Sequence, residues 1–249
     1  MHGLALYCNV NAVYQGAPAM KITLDLHVHT HFSGCSNLRP ERIEELALAR
    51  GLNAVAVCDH NCLSGALETA GLASRITVII AEEIQTNQGE IIGYFLSERI
   101  PPGLSPRETV AEIRRQGGLV SVPHPFDLLR SSRLRPAALE DIISQIDMLE
   151  VFNARDMFRR PDKILLNRAR ALGVVPVTCS DAHLACEVGR ATMVMEQFED
   201  ASDFLHNLRS ARSFARPSPL WVHALTKWHR LRRRGKRSGT SSAVPCNRG

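Results

Sequence analysis

No apolar stretch in this chain approaches the roughly 18 to 20 residues that a membrane-spanning helix requires, so a helical membrane protein is not expected. The first nineteen residues lack the basic segment and following apolar run of a secretory leader. Met20-Lys21 stands immediately before the first predicted strand, and Met20 is the expected start of the protein. The seven cysteines are odd in number and include no C-x-x-C pair, and 249 residues with 45% hydrophobic content can be stable without disulfide staples. Reduced thiols and a cytoplasmic location are therefore expected. No internal repeat is present. Acidic residues are missing after Lys227, where eight basic ones fall (Lys227, Arg230, Arg232, Arg233, Arg234, Lys236, Arg237, Arg248). Removing these eight charges from the net +5 leaves −3 for residues 1–226, so the basic character belongs to the tail and the body is mildly acidic.

What the body does contain is a series of apolar runs that end in metal-ligand residue types. Predicted strands at 22–28, 54–58, 76–81, 119–122 and 174–179 lead into His27 and His29, Asp59-His60, Glu82-Glu83, His124, and Asp181 with His183. Two more strands, at 91–96 and 147–152, bring the total to seven, the last running into Glu150-Val151-Phe152-Asn153. Helical spacing intervenes at 40–50, 64–73, 105–116, 136–144, 161–172 and 201–210. The third begins with Ser105-Pro106-Arg107-Glu108, a capping box with proline at the first helical position. This β-α alternation predicts a parallel sheet or barrel. The C-terminal ends of parallel strands share one face, so these distant residues converge on one pocket.

His27 and His29 are two apart on a strand and project to the same side, and Asp181 and His183 repeat the spacing. With His60, Glu83 and His124 they make seven ligands, more than the roughly three protein ligands of a lone catalytic zinc. Two or more ions are implied, and imidazole with carboxylate suits zinc, manganese or iron. Paired divalent ions generate hydroxide from water at neutral pH and clamp the oxygens of an in-line displacement, which points to phosphate ester hydrolysis. Asp25 and Asp59 can orient imidazoles. A phosphate substrate calls for arginine, and Arg190, Arg155, Arg130 and Arg133 are the candidates, Arg190 first because it follows the Asp181/His183 motif.

The motifs Asp25-Leu-His-Val-His-Thr30, Cys58-Asp-His60, Glu82-Glu-Ile84, Val122-Pro-His-Pro125 and Ser180-Asp-Ala-His183 resemble those of the PHP (polymerase and histidinol phosphatase) superfamily, from about Lys21 to Arg212. They are ordered as in its small stand-alone bacterial phosphoesterases. The resemblance implies a distorted seven-stranded β/α (TIM-like) barrel that holds two or three divalent metal ions. It carries the ligand role to His27, His29, His60, Glu83, His124, Asp181 and His183, and catalysis to Asp59, Asp181 and His183. Where relatives place a histidine near Gly93-Tyr94 this chain has Glu90, which can replace it as a ligand. Where many place an acidic residue or histidine after the first motif it has His31-Phe-Ser-Gly-Cys35, and Ser33-Gly34 turns His31 away from the strand.

The expected organisation is an extension at 1–20, the phosphoesterase domain at 21–212, and a basic, partly disordered tail at 213–249. The expected activity is phosphatase action on a phosphorylated small molecule, with nucleotides or nucleoside bisphosphates first. Alternatives are a nuclease that uses the basic tail to hold RNA or DNA, a histidinol phosphatase, or an idle metal-binding module whose tail recruits a partner. The oligomeric state is not legible.

Overall fold

The computed structural model describes residues 20–157 and 162–228. Its centre is one nine-stranded sheet with the spatial order β7-β6-β5-β4-β3-β2-β1-β8-β9. In chain order the strands are β1 Lys21–Val28, β2 Ala54–His60, β3 Thr77–Thr86, β4 Gly89–Tyr94, β5 Leu119–Val122, β6 Met148–Asn153, β7 Val175–Cys179, β8 Ala191–Glu196 and β9 Arg212–Ala215. The helices are α1 Pro40–Ala49, α2 Ser64–Leu72, α3 Pro106–Arg115, α4 Pro136–Ile142, α5 Lys163–Ala171 and α6 Ala201–Leu208, followed by α7 at 221–228.

All seven expected strands form, and β8 and β9 add two that the sequence reading lacked. The sheet curls into a nearly closed barrel. β7 and β8 meet at the seam without a ladder, joined by the hydrogen bond from Thr178 Oγ1 to Thr192 O at 3.2 Å. The expectation of all-parallel strands is corrected as well. β1, β2 and β3 are mutually parallel, as are β5, β6 and β7, but β4, β8 and β9 run antiparallel to their neighbours. The cause at β4 is the tight reversal Thr86-Asn87-Gln88-Gly89, in which Gly89 adopts φ +125° with Arg133 and Leu134 backbone packed against it.

Alternate residues of the strands fill the barrel interior, among them Leu24, Leu26, Ala54, Ala56, Cys58, Tyr94 and Val177. The intervening Val55 and Val57 face outward against α1 and α2. Phe95, Phe198 and Phe204 close one end as an edge-to-face trio with ring centroids 5.0 to 5.9 Å apart. The capping box forms as expected, with Ser105 and Glu108 exchanging backbone and side-chain bonds. Asp162 caps α5 through Ile164 N and Leu165 N; the expected start at 161 lies outside the described residues. β9 carries the sheet past Arg212, and the segment 213–228 returns to the barrel. The expectations for residues 1–19 and for the basic run from 229 onward also fall outside the described residues. No described helix is long and apolar enough to cross a membrane.

Two irregularities decide what faces the pocket. Between Asp25 and Val28 β1 spends three steps where β2 spends two, a bulge. Below it even positions face the interior, as at Leu24 and Leu26; above it Val28 turns outward and the odd positions His27 and His29 turn inward. β6 has a similar shift between Glu150 and Phe152, which moves the inward role from Glu150 to Asn153.

Candidate metal centre

His27, His29, His60, Glu83, Glu90, His124, Asp181 and His183 converge at one end of the barrel. β1 is stitched to the last motif by His29 N to Ala182 O (2.9 Å) and Ala182 N to His27 O (3.1 Å). Glu90, early in its strand, arrives because the β3–β4 hairpin reverses the chain beside Glu83. Three overlapping groups have ligand atoms within 4.8 Å of one another: His29, His60 and His183; His27, His29 and Asp181; His60, Glu83 and Glu90.

The hydrogen-bond directions around these rings are determined. His27 Nδ1 lies 2.7 Å from Glu150 Oε1 and must donate to it. His183 Nδ1 lies 2.8 Å from the Asp181 carbonyl and must donate as well. For His29 the partner is Ser33 Oγ at 3.0 Å. Ser33 has one proton, which goes to Asp59 Oδ1, and its oxygen also receives His60 N at 3.2 Å; the remaining lone pair accepts the His29 Nδ1 proton. All three imidazoles therefore turn an Nε2 lone pair inward, and those of His27 and His29 stand only 2.9 Å apart.

Two facing lone pairs at that separation repel unless a cation lies between them. The gap fits two nitrogens each about 2.1 Å from one shared ion. Without such an ion a proton takes its place: burial disfavours charge on His27, but Glu150, Asp181 and Glu83 outweigh it and hold the pKa well above the usual range. His29 shifts the other way, lowered by burial and by His60. The carboxylates tell the same story. Glu83 Oε2 lies 2.9, 3.3 and 3.6 Å from nitrogens of His60, His29 and His27, and Asp181 Oδ1 lies 3.3 Å from His29 Nε2. Both oxygens are buried and, with Glu90 Oε2, lack any hydrogen bond. Imidazole nitrogens and orphaned carboxylate oxygens around one point form a donor set that fits divalent metal.

The supporting residues explain the rigidity. Asp59 does not reach the cluster; its carboxylate accepts from Thr30 N (2.7 Å), Thr30 Oγ1 and Ser33 Oγ, and acts on His29 only through Ser33. Gly65 packs flush against it, since a Cβ there would overlap the Asp59 carboxylate and Thr30 Oγ1. Asp25 receives Ser180 N and Gly189 N; burial still lifts its pKa to about 6. Glu150 also receives His124 N, and Asn153 bridges Glu150 and Asp181. His124, Asp181 and Asn61 adopt left-handed backbone with φ 34°, 54° and 50°, conformations that cost on the order of 1–3 kcal/mol each and cluster at sites.

Of Arg130, Arg155 and Arg190, it is Arg130 that enters the pocket. Its Nη1 lies 2.7 Å from Asp181 Oδ2, and 20% of its side chain is exposed. This charge and that of His27 outweigh burial and keep the Asp181 carboxyl well below its usual pKa. Arg155 is buried in a pair with Glu187 at 3.2 Å. Arg190 turns to the carbonyls of Cys186 and Pro217. Ser33, Asn153 and Glu187 were not singled out in the sequence; only Asn153 carried a signal, as a polar residue at a strand end.

Barrel and donor set together define a β/α-barrel protein with a histidine–carboxylate cluster that could hold metal ions. The PHP domain profile matches residues 25–212, and the chain belongs to the PHP domain family. Two uncharacterized proteins of Methanocaldococcus jannaschii are similar: one is 39% identical over 158 residues, covering 58% of this chain and 89% of that protein. The other is 34% identical over 223 residues, covering 83% and 88%. Among solved structures, a two-domain protein of Bacteroides vulgatus containing a predicted PHP-like metal-dependent phosphoesterase superposes with a TM-score of 0.63 at 16% identity, over 80% of this chain and 66% of that one.

Proposed function

We propose that the chain is a metal-dependent phosphoesterase that hydrolyses a phosphorylated small molecule, a nucleotide in the first instance. The observation that carries the reading is the pair of inward Nε2 lone pairs of His27 and His29, 2.9 Å apart and ringed by orphaned carboxylate oxygens. Divalent ions held there would supply Lewis acidity and an activated water. The ligand role falls to His27, His29, His60, Glu83, Glu90, His124, Asp181 and His183. Arg130 supplies the positive charge that a phosphoryl group requires and holds Asp181 in place. Asp59 orients rather than reacts, because Thr30 and Ser33 occupy its carboxylate. Residues 21–212 form the phosphoesterase domain in this proposal. Cys35, Cys58, Cys179 and Cys186 are free thiols, whereas Cys62 is disulfide-bonded, which departs from the expectation of reduced cysteines throughout.

The test is elemental analysis of the purified protein with a phosphate-release screen over mononucleotides, nucleoside bisphosphates, histidinol phosphate and short oligonucleotides, with added manganese or zinc. Two or more metals per chain and release from one class are expected. His29→Ala and Asp181→Ala should lose turnover and retain the fold. No metal uptake and no release would overturn the reading.

A further inference from the structure

The family match ends at residue 212, yet the chain beyond it returns to the pocket. Ser218 N donates to Ala154 O at 2.6 Å, and Arg190 Nη1 donates to Pro217 O at 3.0 Å. These bonds tie the approach to α7 to the loops that follow β6 and β7. On α7 itself Val222 is fully buried, and Thr226 Oγ1 accepts from Arg155 Nη2 at 3.0 Å. Arg155 also binds Glu187, whose Oε2 receives His183 N and Leu184 N, each at 3.1 Å. One guanidinium therefore links α7 to the backbone that carries His183.

His223 follows Val222 and lies three residues before Thr226, so it shares the docked side of the helix. It is half-buried. The charged groups that face it are Arg155, Arg130, Asp181 and Asp127, and of these Arg130 and Asp181 line the metal pocket. Burial first, then the two arginines, lower its pKa and leave it neutral at pH 7. No side-chain hydrogen bond engages it among the described residues. A half-buried imidazole within electrostatic reach of Arg130, with an uncommitted N–H, is a donor without an acceptor.

We propose that His223 is a substrate-binding residue: α7 forms one wall of the pocket, and the His223 imidazole, beside Arg130, donates a hydrogen bond to an oxygen of the phosphorylated substrate. The inference rests on the phosphoesterase reading for its substrate class. Because α7 lies outside the matched segment, it would give this chain a selectivity that the family motifs do not encode.

The experiment uses the full-length, manganese-loaded chain, with p-nitrophenyl phosphate for kinetics and inorganic phosphate for calorimetric binding. His223→Ala is expected to raise KM and weaken phosphate binding about tenfold, the worth of one hydrogen bond to a charged group, with kcat within about threefold and metal content unchanged. His223→Gln, which keeps a donor, is expected to recover most of the loss. Unchanged KM and phosphate affinity in His223→Ala would overturn the inference, and so would a fall in metal content, which would make the residue structural. Phosphate binding that depends on His223 in a protein that hydrolyses no ester would sink the phosphoesterase reading and leave the binding role standing. Hydrolysis with phosphate binding indifferent to His223 would do the reverse.

Discussion

Ser33→Ala tests the hydrogen-bond logic of the metal centre more directly than removal of a ligand. Among the described residues the hydroxyl is the side-chain link between Asp59 and the His29 ring: it donates to Asp59 and accepts the His29 Nδ1 proton at 3.0 Å. Without it the His29 ring loses its orientation and its tautomer preference, while every ligand remains. Loss of such an outer partner costs roughly 10- to 100-fold in metal affinity, or about 1.4–2.7 kcal/mol. Asp59 keeps Thr30 as donor, so the stability of the metal-free protein should fall by only about 1 kcal/mol. Chelator competition with manganese or zinc reads the affinity, and urea unfolding of the metal-free protein reads the stability. Ser33→Thr, which keeps the hydroxyl, should recover most of the affinity. An unchanged affinity in Ser33→Ala would refute the chain from Asp59 to His29, and with it the assignment of the inward lone pair.

Gly65→Ala should act on the same chain from behind, since its Cβ would displace the Asp59 carboxylate; a destabilisation of about 1–3 kcal/mol is expected, together with weaker metal binding, and wild-type values for both would contradict the packing. Arg155→Met should cost about 3–5 kcal/mol because it leaves Glu187 charged and buried, and adding Glu187→Gln should restore part of it, as thermal melts of the single and double variants will show. Removal of divalent ions by a chelator should lower the unfolding midpoint, since an ion at a hundred times its dissociation constant contributes about 2.7 kcal/mol; identical calorimetric midpoints with and without metal would argue that the cluster binds none.

Much of the centre was legible because β-strands advertise themselves by apolar runs and because His27, His60, Glu83, His124 and Asp181 each interrupt such a run at its end. The hairpin at Thr86-Gly89 was not, since the expected strand began only at residue 91, and this hid the mechanism that delivers Glu90 to the pocket. β9 is exposed along its length, so it produced no burial pattern to read, whereas β8 is a largely buried run, Ala191–Glu196, that the sequence reading lacked. Arg190 ranked above Arg130 on proximity in sequence, but the direction of a side chain depends on which carbonyls and carboxylates the fold brings near it. The same holds for Asp59, whose commitment to Thr30 and Ser33 is a tertiary fact. The inward turn of His27 was read correctly for His29 as a pair, whereas the bulge that produces it leaves no trace in residue type.

That bulge divides β1 into two stretches answerable to different demands. Below it, substitution is judged by volume, because Leu24 and Leu26 fill the interior; above it, by coordination chemistry. Since the extra residue resets the alternation, the ligands can be exchanged without disturbing the parity of the packing beneath them, and the barrel can change its chemistry while its core stays fixed. Straightening the strand at this point with every residue kept would reverse the arrangement, presenting Val28 to the pocket and the histidines to the helices.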